Sequence, residues 1–64
     1  MNTWHILATN RIEEIVLESG EQTEAWFKQR AIEISKLCPQ AIIVVRDWDE
    51  SDRWAYENGM EVDL

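Results

Sequence analysis

The chain holds one cysteine, one histidine, one proline and two glycines in 64 residues. A lone Cys38 cannot form the internal disulfide that staples many small secreted domains, so a reducing, cytoplasmic setting is expected. One histidine and one thiol, His5 and Cys38, fall short of the three or four ligands of a zinc site. Gly20 and Gly59 stand too far apart for a phosphate-cradling loop. Long apolar runs are missing as well. The longest, Ala41 to Val45, is a strand's length and far short of the ~20 residues of a membrane span. Met1 to Ala8 lacks the basic start and apolar stretch of a signal peptide. Basic residues are few, 6 Lys and Arg against 13 Asp and Glu, for a net charge of −7. That balance argues against direct nucleic-acid binding, which relies on Lys and Arg at phosphates.

What is plentiful is apolar material. Hydrophobic residues make up 45% of the chain, which places it among folded domains rather than disordered chains. A domain this small buries only ~60% of the surface its unfolded chain exposes. It has no room for a cofactor domain, and residues 1–64 are read as a single domain with no cofactor.

Period-2 patterning opens the chain. Trp4, Ile6 and Ala8 alternate with His5 and Leu7, and Ile15 and Leu17 alternate with Glu14, Val16 and Glu18, predicting a β-hairpin. Asn10-Arg11 supplies the turn, Asn tolerating left-handed geometry. Ser19-Gly20-Glu21-Gln22 has the form of a helix capping box, with Thr23 as a competing cap. Phe27, Ala31, Ile34 and Cys38 follow at helical spacing, with Trp26 and Leu37 widening the apolar arc and Ile32 pointing away beside Lys28 and Ser35. Pro39 ends a helix of about 17 residues. Ala41 to Val45 reads as a central strand contacted on both faces, extended by Arg46 to Trp48. Asp49 to Asp52 form a polar turn. Arg53 to Glu57 then alternate as a strand, the alternative being a short helix capped by Asp49 or Ser51. Asn58-Gly59 turn the chain before Met60, Val62 and Leu64 alternate once more.

The fold class is therefore α+β, with order ββαββ: a four-stranded, mainly antiparallel sheet with one helix on one face. The Trp4–Leu17 hairpin, the Ala25-Trp26…Ala31 helix and the closing Val44-Val45-Arg46-Asp47…Trp54-Ala55-Tyr56 hairpin resemble a group of small, mostly uncharacterised ββαββ proteins of bacteria and phages. That resemblance implies a fold and carries no agreed function; a phage-encoded inhibitor of a host nucleic-acid-handling or defence protein, acting in the host cytoplasm, is expected from the small size and clustered acid taken with it. The resemblance implies no catalytic residue.

The acidity has an address. Residues 1–22 carry a net −3, residues 23–39 a net +1, and residues 40–64 a net −5. Acidic turns and edges keep a small protein soluble and discourage edge pairing. A clustered negative surface also suits a partner with a basic face, including one built for nucleic acid, and would speed their encounter. On that second view Asp47, Asp49, Glu50, Asp52 and Glu57 form the charged patch, with Trp48 and Trp54 as apolar anchors.

One helix covers one face of a sheet, and the apolar count exceeds that need. With Ile6, Ile15, Leu17, Ile43 and Val45 toward the helix, Leu7, Val16, Ile42, Val44 and some of Trp4, Trp48 and Trp54 face the other way. Such a face either folds its rings over a thin core or pairs with a second copy in a two-fold dimer.

Catalytic and metal chemistry find little support. Counting Asp47 as the first position of a calcium loop puts Asp52 where glycine is needed and Asn58 where the bidentate Glu is needed. Cys38 lies on the helix's apolar stripe, where a free thiol acts as a small hydrophobe. Paired carboxylates need an apolar cleft to work as acid and base, and none is visible. The expectation is a non-enzymatic, metal-free binding protein: a partner with a basic surface, with a homodimer as the alternative, and no membrane or direct nucleic-acid contact.

Overall fold

A computed structural model describes residues 2–63, so the expectations at Met1 and Leu64 lie outside the described residues. Five strands and one helix run in the order β1 (Trp4–Thr9), β2 (Glu14–Gly20), α1 (Glu24–Leu37), β3 (Ile42–Arg46), β4 (Asp52–Glu57) and β5 (Met60–Glu61). The sheet order is β2-β1-β3-β4-β5, antiparallel at every step. The α+β class with one helix on an antiparallel sheet is as expected. The strand count is five, not four. The addition is β5, turned back by Asn58 (φ 52°) and Gly59 (φ 84°), the paired left-handed geometry of a two-residue hairpin turn. Residues 52–57 are a strand, which removes the short-helix alternative.

The first hairpin turns differently from expectation. Arg11, at φ 75°, takes the left-handed position. Asn10 instead works through its side chain, Oδ1 accepting the N–H groups of Ile12 and Glu13 at 3.0 and 2.8 Å. The capping box does not form, because Ser19 and Gly20 belong to β2. Thr23 is the cap: its hydroxyl accepts the Trp26 N–H at 3.1 Å. The helix is thereby shortened to 14 residues.

Two bulges decide which side chains face where. Along β1, Ile6 opposes Glu18 and Leu7 opposes Val16, so Leu17 is one residue too many. Along β3, Val45 opposes Trp54 and Arg46 opposes Asp52, so Arg53 is the extra residue. An inserted residue breaks the alternation and re-aims its neighbours. Asp52 consequently meets Arg46 on the helix-free face, while Arg53 turns toward Asp47 and the first residue of α1, Glu24.

The main core lies between helix and sheet: Trp4, Ile6, Phe27, Ala31, Ile34, Ile43, Val45 and Tyr56, with Trp54 and Ile32 packed against it. Trp4 and Trp54, weighed for the opposite face, therefore belong on the helix side. Trp4 is the hub. Its ring lies 6.0 Å from both Phe27 and Trp54, stacked on each, and 5.5 Å edge-on from Trp48. Ile32 also departs from expectation, as the helix is rotated toward residues 28, 32 and 35. Ser35 explains the rotation. It is fully buried, donates to the Ile32 carbonyl at 2.7 Å and accepts the Gly59 N–H at 2.8 Å, tying helix to β4–β5 turn. Trp26 and Leu37 are left exposed on the opposite flank. The buried Tyr56 hydroxyl has no partner among the described residues, and burial, with Glu61 nearby, raises its pKa.

The helix-free face is not bare. Leu7 and Val44 are each only 2% exposed there, clustered with Ile42 and Ala55, and Val62 packs over them. Arg46 crosses the same face. Its guanidinium holds both oxygens of Glu14 at 2.9 and 3.1 Å and donates to Asp52 through Nε at 2.6 Å. A charged strap thus joins β2, β3 and β4. Little apolar area remains there for the face-to-face dimer that the sequence suggested.

Candidate functional site

The loop between β3 and β4 is built around Asp47, a carboxylate that is itself 4% exposed. Oδ1 accepts the N–H groups of Asp49 and Ser51 at 2.8 and 3.0 Å, and Oδ2 accepts Nη1 of Arg53 at 3.1 Å. The backbone closes the same loop, with Asp47 N–H donating to the Ser51 carbonyl and Glu50 N–H to the Asp47 carbonyl. Glu50 takes the left-handed position at φ 61°. Asp47 therefore organises the loop from inside, and its charge points inward.

The seven residues singled out from the sequence divide into three groups. Asp47 and Asp52 are engaged internally, by Arg53 and Arg46. Trp54 is half-buried, stacked on Trp4, with the Lys28 ammonium 4.7 Å over its ring. Trp48, Asp49 and Glu50 stand together at the exposed tip, Trp48 at 49% exposure with its edge against Trp4. Glu57 is exposed too, but it closes β4, five residues and about 17 Å of extended strand from Asp52. The tip and Glu57 are separate places.

Ion pairing sorts the remaining acid. Arg30, Arg46 and Arg53 each engage two carboxylates: Glu18 and Glu33, Glu14 and Asp52, Asp47 and Glu24. Among the described residues seven carboxylates then have no ion pair, and five of them fall between Asp49 and Asp63. Pairing sharpens the acidic bias of the closing hairpin. Sequence reasoning located that bias without separating the internal members from the free ones.

These arrangements carry a pH signature. The Ser51 N–H, with Arg53 and the Asp49 N–H adding to it, holds the Asp47 carboxyl below its ordinary value. Hydrogen bonding to Arg46 lowers Glu14, and the same bonds raise Arg46. A carboxylate with a depressed folded pKa contributes stability that is complete above its unfolded value, about 3.9 for Asp and 4.3 for Glu, and lost as pH falls through the folded value. The thermal midpoint is accordingly expected to hold down to about pH 5 and to fall below it. Protonating the unpaired carboxylates relieves repulsion and acts the other way, so the comparison that matters is Asp47→Asn. That variant should lose less stability between pH 5 and pH 2 than the parent, read by circular dichroism melts; an equal loss would discount Asp47.

His5 has a partner that sequence reasoning missed. Its Nδ1 lies 2.7 Å from the Ser19 hydroxyl across the β1–β2 ladder. Cys38 ends the helix, half-buried, its N–H bonded to the Ile34 carbonyl. The His5–Ser19 pair sits on an exposed sheet surface, and none of the described hollows is lined by either residue. Among the described residues no three His, Cys, Asp or Glu stand where they could hold a metal ion, and no helix is long and apolar enough to cross a membrane. Compared with protein families, curated proteins and solved structures, the chain matches none.

Proposed function

We propose that the protein is a binding module whose β3–β4 tip engages a basic protein surface, most concretely one that handles nucleic acid. The observation that carries this is the tip itself: Asp49 and Glu50, unpaired and exposed, beside the half-exposed Trp48, on a loop fixed from beneath by Asp47. A loop already held in one geometry loses little entropy on binding. An aromatic ring next to two free carboxylates combines an apolar anchor with charges that steer the encounter. Occluding a phosphate-binding surface needs no more than this.

The test is capture on immobilised protein from host lysate at low and high salt, followed by competition between the captured partner's nucleic acid and the chain. Asp49→Lys with Glu50→Lys is expected to weaken capture at least ~10-fold, mainly through the association rate. Glu57→Lys with Glu61→Lys makes the same change in net charge away from the tip and is expected to weaken it far less. Equal losses from the two pairs would reduce the effect to overall charge, and undiminished capture by the tip variant would end the proposal. Asp47 and Asp52 are left alone because both hold the fold together.

A further inference from the structure

The β4–β5 turn carries a reactive pair of residues that the fold holds in check. Asn58-Gly59 is the one place in the chain where a glycine follows an asparagine. There the next backbone nitrogen can attack the asparagine side chain, because glycine has no Cβ to obstruct the approach. Asn58 is exposed and Gly59 half-buried. The attacking nitrogen is not free, however. Its N–H donates at 2.8 Å to the hydroxyl of Ser35, which is fully buried on α1. The Ser35 proton is itself committed to the Ile32 carbonyl at 2.7 Å. A hydroxyl has a single proton to give, so this oxygen holds the Gly59 N–H but has nothing left to stabilise a deprotonated nitrogen. The Lys36 stem lies against the same glycine.

We infer that Asn58 is a deamidation site, kept latent by α1 and released when the β4–β5 turn lifts off the helix. Once the Gly59 N–H leaves Ser35, hydroxide removes its proton and the nitrogen bonds to Asn58 Cγ. The Cγ–Nδ2 bond breaks, the amine takes up a proton and leaves as ammonia, and a succinimide ring remains. Water opens that ring at Cγ to give aspartate, or at the former peptide carbonyl to give isoaspartate, whose chain runs through Cβ and Cγ. Either product places a further negative charge between Glu57 and Glu61. Isoaspartate also adds a carbon to the backbone of the turn. A two-residue hairpin turn fixes the register of its strands, so Met60 and Glu61 lose their places opposite Glu57 and Tyr56. The turn thus records, covalently, the time it has spent away from the helix.

Peptide mass spectrometry of chain aged in mildly alkaline buffer reads the reaction site by site. Asn58 in the folded chain is expected to react at least ~10-fold more slowly than in the urea-unfolded chain, the factor that one hydrogen bond of ordinary net worth supplies. Ser35→Ala should remove most of that protection at Asn58, with Asn2 and Asn10 unaltered and the circular dichroism spectrum retained. Urea below the unfolding midpoint gives the same reading without a variant: Asn58 loss should rise together with Gly59 amide exchange and ahead of β1 and β3 amide exchange. No reaction at Asn58 in the unfolded chain, or equal rates in the folded and unfolded chain, would overturn the inference. So would a folded Ser35→Ala chain as slow as the parent, or loss that follows global unfolding alone. None of these outcomes depends on the β3–β4 tip.

Discussion

Truncating Trp4 to alanine is expected to leave little folded protein at room temperature. The side chain is 6% exposed and stacks on both Phe27 and Trp54. Large-to-small replacement of a buried aromatic costs about 3–5 kcal/mol, against a total stability of about 3–10 kcal/mol for a chain this short. Trp4→Phe should recover most of the loss, since it keeps an aromatic ring at the same place. The consequence for binding is direct. Trp48 rests its edge on Trp4, so even a residual folded fraction would present the tip without its support. Urea unfolding followed by far-ultraviolet circular dichroism measures the loss. A cost below about 1 kcal/mol would mean that the ring cluster is decorative rather than the core's centre.

The second large effect falls on Ser35. Ser35→Ala removes the one acceptor that the Gly59 N–H has among the described residues and leaves that donor partly buried. The expected cost is about 1–3 kcal/mol, the range for a buried polar group deprived of its partner. Hydrogen exchange separates this from a general loosening: the Gly59 amide should lose protection before the β1 and β3 amides do. Gly59 itself has little latitude. The left-handed φ of 84° disfavours a side chain there, while the contact a Cβ would make is with the movable Lys36 side chain. Unaltered Gly59 protection in Ser35→Ala would show that the hydroxyl is dispensable.

Much of this architecture is legible in the residues, and the limits of that legibility have physical causes. Alternation at Trp4-Ile6-Ala8 and the β-branched run Ile42–Val45 announce strands because their neighbours on both faces are apolar. The Phe27-Ala31-Ile34 spacing announces a helix for the same kind of reason. Alternation presumes an unbroken ladder, however, and the extra residues Leu17 and Arg53 break it. Arg53 reads as one more residue of an alternating strand, and it ends at Asp47 beneath the tip. Ser35 reads as lying opposite the helix's apolar stripe because a hydroxyl carries no hydrophobic signal. Its burial depends on a turn 24 residues away. The candidate site shows the same division. Asp49 and Glu50 can be picked out as loop residues, but Trp48 reads as an extension of β3, which ends at Arg46, and the inward charge of Asp47 and the Arg46–Glu14 clasp across 32 residues belong to no local pattern.

The strand order has a consequence for how the chain folds. β1 and β3 lie side by side at the middle of the sheet, so Leu7 is registered against Val44, while each outer hairpin closes locally. The longest loop in the chain thus closes at the sheet's centre, and closing it costs entropy that the hairpins alone cannot offset. Neither half of the sequence has a core without the other, since Trp4 and Ile6 come from one and Ile43, Val45 and Tyr56 from the other. The chain is therefore expected to unfold as one cooperative unit, and a chain cut within α1 should yield two fragments that gain structure only on meeting, as circular dichroism of the separate and mixed fragments would read.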